Sequence, residues 1–142
     1  MRRRTRSREL ALQFLYLHDL RGDEVLPERD GFLEGESPEE TVVAYAKVLI
    51  EGVLEHRGEI DERIRANAHN WDISRIATVD RNILRVACYE ILFGAAVPAK
   101  VAINEAIELG KKFSTANSGS FINGILDKIL ELEGKDQDGN AS

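Results

Sequence analysis

The chain has one cysteine, one tryptophan and three prolines among its 142 residues. A single cysteine cannot form an internal disulfide, so we expect a reducing, cytoplasmic location. Cys88 lies within a helical pattern of apolar residues, which favours a buried, unreactive thiol. No apolar run approaches the ~20 residues that a transmembrane helix needs. The N-terminus lacks the continuous apolar stretch of a secretory signal.

Patterns that carry catalysis or metal binding are also lacking. The sequence contains no glycine-rich phosphate loop and no cysteine–histidine cluster with metal-ligand spacing. Its three histidines are far apart and share no motif. Most carboxylates fit exposed helix faces, and only Glu105 is harder to place. We therefore expect no catalytic site, no metal and no cofactor.

Charge is distributed unevenly along the chain. The net charge is −6, yet Arg2, Arg3, Arg4, Arg6 and Arg8 place +5 in the first eight residues, so the remainder carries −11. An acidic body with one basic end favours contact with an anion such as nucleic acid. A basic tail without any partner explains the charge equally well.

Helical periodicity is the strongest pattern present. Apolar residues recur at i, i+3 and i+4 in segments 79–92, 102–109 and 121–130. Each segment predicts an amphipathic helix, and the short breaks between them favour antiparallel packing. No strand-length alternation occurs. We therefore predict an all-α protein organised around these three helices, with Gly110 and Gly124 allowing close helix contacts.

Further helices are predicted upstream. The first spans 5–20 and stops at Gly22, whereas 21–37 is polar and is interpreted as a loop with a short helical turn at 31–33. The Ser37–Glu40 segment has the pattern of a capping box and predicts the next helix start. Two helices then continue to about residue 70, and Trp71 and Ile73 are expected to fill gaps between helices.

The predicted first helix has a polar side that fits an external anion. Its arginines oppose the helix dipole, which an anionic ligand would offset. Tyr16 lies on the same side and could stack on an unpaired base, although an ordinary half-exposed tyrosine is the better interpretation of that residue alone. His18 falls on the apolar side, where we expect a hydrogen-bonded core histidine.

Four segments occur in the order found in the NusB family of transcription antitermination factors. They are 8–16 (RELALQFLY), 84–90 (LRVACYE), 97–109 (VPAKVAINEAIEL) and 121–128 (FINGILDK). The chain resembles that family over most of its length, with the weakest match in the loop after Gly22. The resemblance implies a single all-α domain over 1–134, with about seven helices in two packed three-helix units. The residues after Gly134 are polar, so we expect a disordered tail at 135–142.

The resemblance also implies a function and site residues. Such proteins bind the single-stranded boxA element of ribosomal RNA leader transcripts together with NusE, a small-subunit ribosomal protein, and help RNA polymerase read through terminators. The RNA-binding residues implied are Arg4, Arg6, Arg8, Tyr16, Asn117, Ser118 and Phe121, and the charge cluster adds Arg2 and Arg3, which go beyond the family motif. Asp80 and Arg81 are implied to face NusE. Asn117 replaces an acid of some relatives, which removes repulsion against a phosphate.

We expect an RNA-binding adaptor rather than an enzyme, in which alanine at Arg6 or Arg8 weakens RNA binding without unfolding. Two alternatives remain open. A NusB-like domain also precedes the catalytic domain of some ribosomal RNA cytosine methyltransferases, so the chain could be the targeting part of one. It could also be a helical partner protein without RNA affinity. Some relatives form homodimers, and the sequence leaves that possibility open.

Overall fold

The computed structural model describes residues 2–68, 73–94 and 97–141, with side chains described in 3–68, 73–94 and 97–133. Within these residues the structure contains seven α-helices, two 3-10 helices and no strand, which confirms the all-α prediction. The α-helices are α1 (Arg2–Arg21), α2 (Arg29–Glu36), α3 (Glu40–Glu55), α4 (Arg57–Asn67), α5 (Thr78–Leu92), α6 (Ala99–Phe113) and α7 (Ser118–Ala141). The 3-10 helices are Gly22–Glu28 and Ile73–Arg75.

Two hydrophobic cores organise these helices. The first lies between α1, α2 and α3 and includes the fully buried Phe14 and Leu49. The second lies between α5, α6 and α7, as their periodicity predicted, with α4 packed alongside. Helix α5 joins the two, because Val86 faces the first core while Ile83 faces the second. The predicted pair of packed three-helix units is confirmed, with α4 as an additional member of the second.

Helix α1 is longer than predicted. It begins at Arg2 rather than Thr5, so the arginine cluster lies in its first two turns. The helix ends at Arg21, and Gly22 follows with a φ of 77°, a left-handed conformation that glycine adopts without steric cost. The predicted stop at Gly22 is therefore confirmed.

The prediction of a loop over 21–37 is wrong. This polar segment forms the first 3-10 helix and α2. Only Val25 and Leu33 are fully buried in it, and both join the first core. Burial of a large apolar side chain contributes roughly 1.5–3 kcal/mol, so two anchors can hold an otherwise polar segment against α1.

The predicted capping box is also wrong. Helix α3 begins at Glu40, and its N-cap is Glu39 rather than Ser37. The Ser37 hydroxyl accepts a hydrogen bond from the backbone N–H of Glu39 at 3.2 Å. Ser37 therefore stabilises the turn before the helix, and Pro38 lies in that turn instead of in the first helical position.

Several smaller predictions concern single residues and the C-terminal tail. Trp71 lies outside the described residues, whereas Ile73 packs against the second core as predicted. Gly110 allows a close contact, since a Cβ there would lie 3.0 Å from Ile122 Cδ1, but a Cβ at Gly124 meets no described atom within 4 Å. The side chains of the predicted tail, 135–142, lie outside the described part, so the boundary at 134 stays a prediction.

Candidate nucleic-acid interface

The exposed face of the basic end carries Arg3 and Arg6. Arg3 is 72% exposed, and its Nε lies 3.2 Å from Glu39 Oε2. Arg6 is half-buried and lies 3.1 Å from Glu9 Oε1 and 3.5 Å from Glu36 Oε2. Ion pairs between exposed groups contribute about 0–1 kcal/mol, so Arg3 can exchange Glu39, and Arg6 can exchange Glu36, for a phosphate at little cost.

Arg4 lies on the other side of α1. Its guanidinium carbon is 3.8 Å from the ring centroid of Tyr45, a cation–π contact. One of its terminal nitrogens, Nη1, is buried without a hydrogen-bond partner among the described residues. Arg4 is therefore only partly available to a ligand. The side chain of Arg2 lies outside the described residues, so its predicted role stays a prediction.

The surroundings of Arg8 argue against the predicted contact of this residue with RNA. Its side chain is 2% exposed, and its guanidinium group donates to both Glu90 oxygens at 2.9 and 3.0 Å. A third contact, at 3.1 Å, reaches Glu105. A phosphate could reach this group only by breaking a buried, bidentate ion pair, which would leave a buried carboxylate unpaired.

Further hydrogen bonds complete this network between the two units. The Tyr45 hydroxyl donates to Glu90, and the Thr5 hydroxyl donates to Glu105 at 2.5 Å. Burial and the adjacent Glu90 carboxylate raise the pKa of Tyr45 to about 12. Burial tends to lower the pKa of Arg8, but Glu90 and Glu105 outweigh it and raise the pKa. Glu105, which sequence reasoning could not place, thus fixes α1 against α6.

A second network fixes the C-terminal end of α1. The Asp19 carboxylate is 6% exposed and accepts hydrogen bonds from Asn82 and Arg85, both at 2.9 Å, and from Arg57 at 2.9 Å. Burial tends to raise its pKa, but the Asn82 hydrogen bond and the guanidinium groups outweigh it and hold the pKa of Asp19 below its usual value. Arg85 also pairs with Asp61 at 2.8 Å, which links α1, α4 and α5.

The start of α7 lines an open cavity of about 240 Å³ between α5 and the 114–117 connection. Asn117 is exposed there, and Phe121 contributes a half-buried ring. Ser118 is buried, and its hydroxyl lies 3.2 Å from Asp80 Oδ2 and accepts the N–H of Thr115 at 3.2 Å. Ser118 therefore shapes the cavity, while Asn117 and Phe121 line it with an amide and an aromatic ring.

The two residues implied to face NusE are directed mainly inward. Asp80 is 9% exposed, and its Oδ1 is buried without a hydrogen-bond partner among the described residues. Arg81 lies 3.4 Å from Asp19 and donates to the Ile73 carbonyl at 3.2 Å. Their contact with a partner stays a prediction, and any such contact would involve the solvent-facing part of Arg81 more than Asp80.

Lys112 is a candidate that sequence reasoning missed. Its exposed ammonium group lies 2.7 Å from Glu9 Oε2, and Glu9 also pairs with Arg6. The last turn of α6 thereby adds a cation beside the basic end of α1. The lysine pair at 111–112 was visible in the sequence, but its proximity to α1 depends on packing between distant helices.

Tyr16 is 39% exposed, so its ring is accessible as expected.

Other chemistry finds no support in the part of the chain that the structure describes. No group of histidine, cysteine and carboxylate side chains there could hold a metal ion. Cys88 is buried as predicted, and burial raises the pKa of its thiol to about 12, which disfavours the reactive thiolate. His18 is buried and lies 2.8 Å from Asp23, as expected of a hydrogen-bonded core histidine. None of the described helices is long and apolar enough to cross a membrane.

The fold and these groups define an all-α protein with two cores and a small surface of cationic, amide and aromatic side chains. The chain belongs to the NusB family, whose model matches residues 5–131. It is 45% identical to the transcription antitermination protein NusB of Trichlorobacter lovleyi over 135 residues, which are 95% of this chain and 94% of that protein.

Solved structures show the same similarity. T. maritima NusB has a TM-score of 0.80 and 39% sequence identity, with 90% of each chain covered. The NusB-like chain in a crystal structure of antitermination factors NusB and NusE with double-stranded RNA has a TM-score of 0.82 and 30% identity, over 93% of this chain and 98% of that one.

Proposed function

We propose that this chain is a transcription antitermination factor that binds the boxA element of ribosomal RNA leader transcripts together with NusE and promotes read-through by RNA polymerase. It acts in the cytoplasm as an adaptor and not as an enzyme. Family membership and the NusB–NusE–RNA structure support this role. The observation that carries the RNA-binding part is the exposure of Arg3 and Arg6 at the end of a helix fixed to both units.

The proposed RNA surface combines two kinds of contact. Arg3, Arg6 and Lys112 supply cations for phosphates, which position a strand but carry no sequence information. Asn117 supplies an amide, which can form hydrogen bonds with unpaired bases, and Phe121 supplies an aromatic ring, which can stack on them. Arg8 is excluded from this surface, since its guanidinium group is buried against Glu90 and Glu105.

Salt dependence of RNA binding tests the number of phosphate contacts. Single strands lose affinity with a log–log slope of about −0.7 per contact, so three contacts predict a slope near −2. Fluorescence anisotropy with labelled boxA RNA, with and without NusE, measures it directly. A slope near zero would contradict a phosphate-binding surface. Absence of RNA binding while NusE still forms a complex would instead favour the helical partner protein.

The methyltransferase alternative receives less support from the relatives. The T. lovleyi protein is named as an antitermination protein, and the match covers 94% of its length. A targeting domain of a methyltransferase would predict similarity to proteins with a further catalytic region. The RNA titration addresses this alternative too, because boxA RNA should then bind no more tightly than a scrambled strand.

A further inference from the structure

Two carboxylates from outside α1 lie against its exposed arginines. Glu36 Oε2 is 3.5 Å from Arg6 Nη2, and Glu39 Oε2 is 3.2 Å from Arg3 Nε. All four side chains are at least one-third exposed. An RNA phosphate approaching either guanidinium group must therefore compete with a carboxylate that already occupies it.

Helix stability alone does not explain this arrangement. Glu36 is the last residue of α2, where the helix dipole disfavours an acid, and the arginines lie in the first turns of α1, where it disfavours a base. Glu39 lies at the favourable N-terminal end of α3, so Glu36 is the more informative of the two. Glu36 and Arg6 are each unfavourable in their own helix, yet they lie against each other. This arrangement indicates that the two charges are matched to one another.

Glu9 differs from these two acids in its burial. Its side chain is 9% exposed, and it bridges Arg6 and Lys112 at 3.1 and 2.7 Å. Separating a buried carboxylate from its cations leaves it unpaired at a high cost, so Glu9 keeps its partners when RNA binds. Glu36 and Glu39 are exposed, and solvent can hydrate them once they are released.

We propose that Glu36 and Glu39 compete with phosphates for Arg3 and Arg6 and thereby weaken the binding of single-stranded RNA of any sequence. The inference rests on the proposed function and concerns the same surface. Exposed pairs are weak, so each carboxylate reduces RNA affinity by at most about fivefold. The affinity for RNA of unrelated sequence depends on phosphate contacts, so this competition keeps it low. Contacts to the bases add to the affinity for boxA RNA and keep that strand bound.

The test compares the wild type with the double variant Glu36→Gln/Glu39→Gln. Glutamine keeps the size of each side chain and removes its charge. Anisotropy titrations use labelled boxA RNA and a scrambled strand of equal length. We expect both strands to bind about three- to tenfold more tightly at low salt, with a smaller gain at high salt.

Glu51→Gln is the matched control. It also removes a charge from an exposed carboxylate paired with an arginine, because Glu51 lies 2.7 Å from Arg29 near the other end of α3. If the gain in RNA affinity came only from the change in net charge, Glu51→Gln would raise the affinity as much as each substitution of the double variant does. We expect its RNA affinity to stay within about twofold of the wild type. Melting temperatures of all variants should stay within about 4 °C of the wild type.

Each other outcome overturns the inference in a recognisable way. If the double variant binds both strands like the wild type, the carboxylates do not compete, and the proposed function still stands. If it melts early and binds no more tightly, the carboxylates only hold α1 in place. A gain for the boxA strand alone would indicate a base contact instead. If the wild type binds neither strand, the proposed function fails together with the inference.

Discussion

Arg6 and Arg8 are two residues apart on α1, and their surroundings differ sharply. Arg6 is 38% exposed and pairs with Glu9 and Glu36, whereas Arg8 is 2% exposed and is held by Glu90 and Glu105. A helix turns about 100° per residue, so side chains two residues apart point in nearly opposite directions.

The described arginines of this cluster divide between those two directions. Arg3 and Arg6 share the exposed face, while Arg4 and Arg8 turn towards Tyr45 and its hydrogen-bond partner Glu90. Exposed ion pairs exchange at little cost, whereas a buried pair cannot lose one member without a large penalty. The same residue type is therefore accessible to a ligand on one face and holds the two units together on the other.

The largest effect is expected from Arg8→Ala. Removing this side chain leaves the Glu90 carboxylate buried with fewer partners, so the free energy of unfolding should fall by about 3–5 kcal/mol. Urea denaturation followed by circular dichroism measures the change. Arg21→Ala is the control, because Arg21 forms an exposed pair with Glu24 at 2.9 Å. Equal stability of the two variants would remove the distinction between buried and exposed arginines.

A second buried contact, between α3 and α5, can be tested in the same way. A Cβ at Gly52 would lie 2.2 Å from the Tyr89 ring, so Gly52→Ala must displace that ring or the helices. We expect a loss of about 1–3 kcal/mol in unfolding free energy despite the helix propensity of alanine. Gly58→Ala is the control, since a Cβ there meets no described atom within 4 Å and should be neutral or stabilising. A stabilised Gly52→Ala would show that this contact is loose.

Acid titration tests the buried pairs at the other end of α1. The folded-state pKa of Asp19 lies below its usual value, so its ion pairs stabilise the fold above the unfolded pKa of about 4 and are lost as the pH falls through the folded value. Asp19→Asn should cost about 2 kcal/mol at neutral pH, and the difference from wild type should shrink below pH 4. The exposed Asp127→Asn serves as control. A constant difference down to pH 2 would contradict the account.

The smallest effect on stability is expected from Arg6→Ala. Its pair with Glu36 is exposed, and the buried Glu9 carboxylate keeps Lys112 as a partner, so unfolding free energy should change by only about 1 kcal/mol. Affinity for boxA RNA should fall about three- to tenfold, with a shallower salt dependence. Arg29→Ala, which removes an arginine remote from α1, should leave RNA affinity unchanged. If Arg6→Ala binds RNA like the wild type, the exposed face of α1 is not the phosphate-binding surface.

The sequence predicted the second unit well because its helices are strongly periodic. Ile83, Ile103 and Ile122 each recur with partners at helical spacing, and all three are buried. Helix α2 could not be predicted in the same way, since it contributes a single fully buried side chain, Leu33, to the first core. Its helical state depends on docking against α1, which no local pattern encodes.

The position of Arg8 was open to prediction from the sequence, and that of Lys112 was not. Arg8 shares a helix face with Leu12 and Leu15 at i+4 and i+7, and both leucines are buried. That spacing indicates an inward side chain, but the charge cluster and the resemblance both favoured an RNA contact. Lys112 approaches Glu9 only because α6 packs beside α1, a contact over 103 residues of chain.

The division between the two faces of α1 is tested most directly by the arginine Nε–H signals in NMR spectra of the wild-type protein. The Arg8 Nε–H donates to Glu90 at 2.9 Å in a buried site, so its exchange with solvent should be slow and its shift unchanged when boxA RNA is added. The Arg3 and Arg6 signals should exchange fast and shift on addition of RNA. Fast exchange and a large RNA-induced shift at Arg8 would contradict the account.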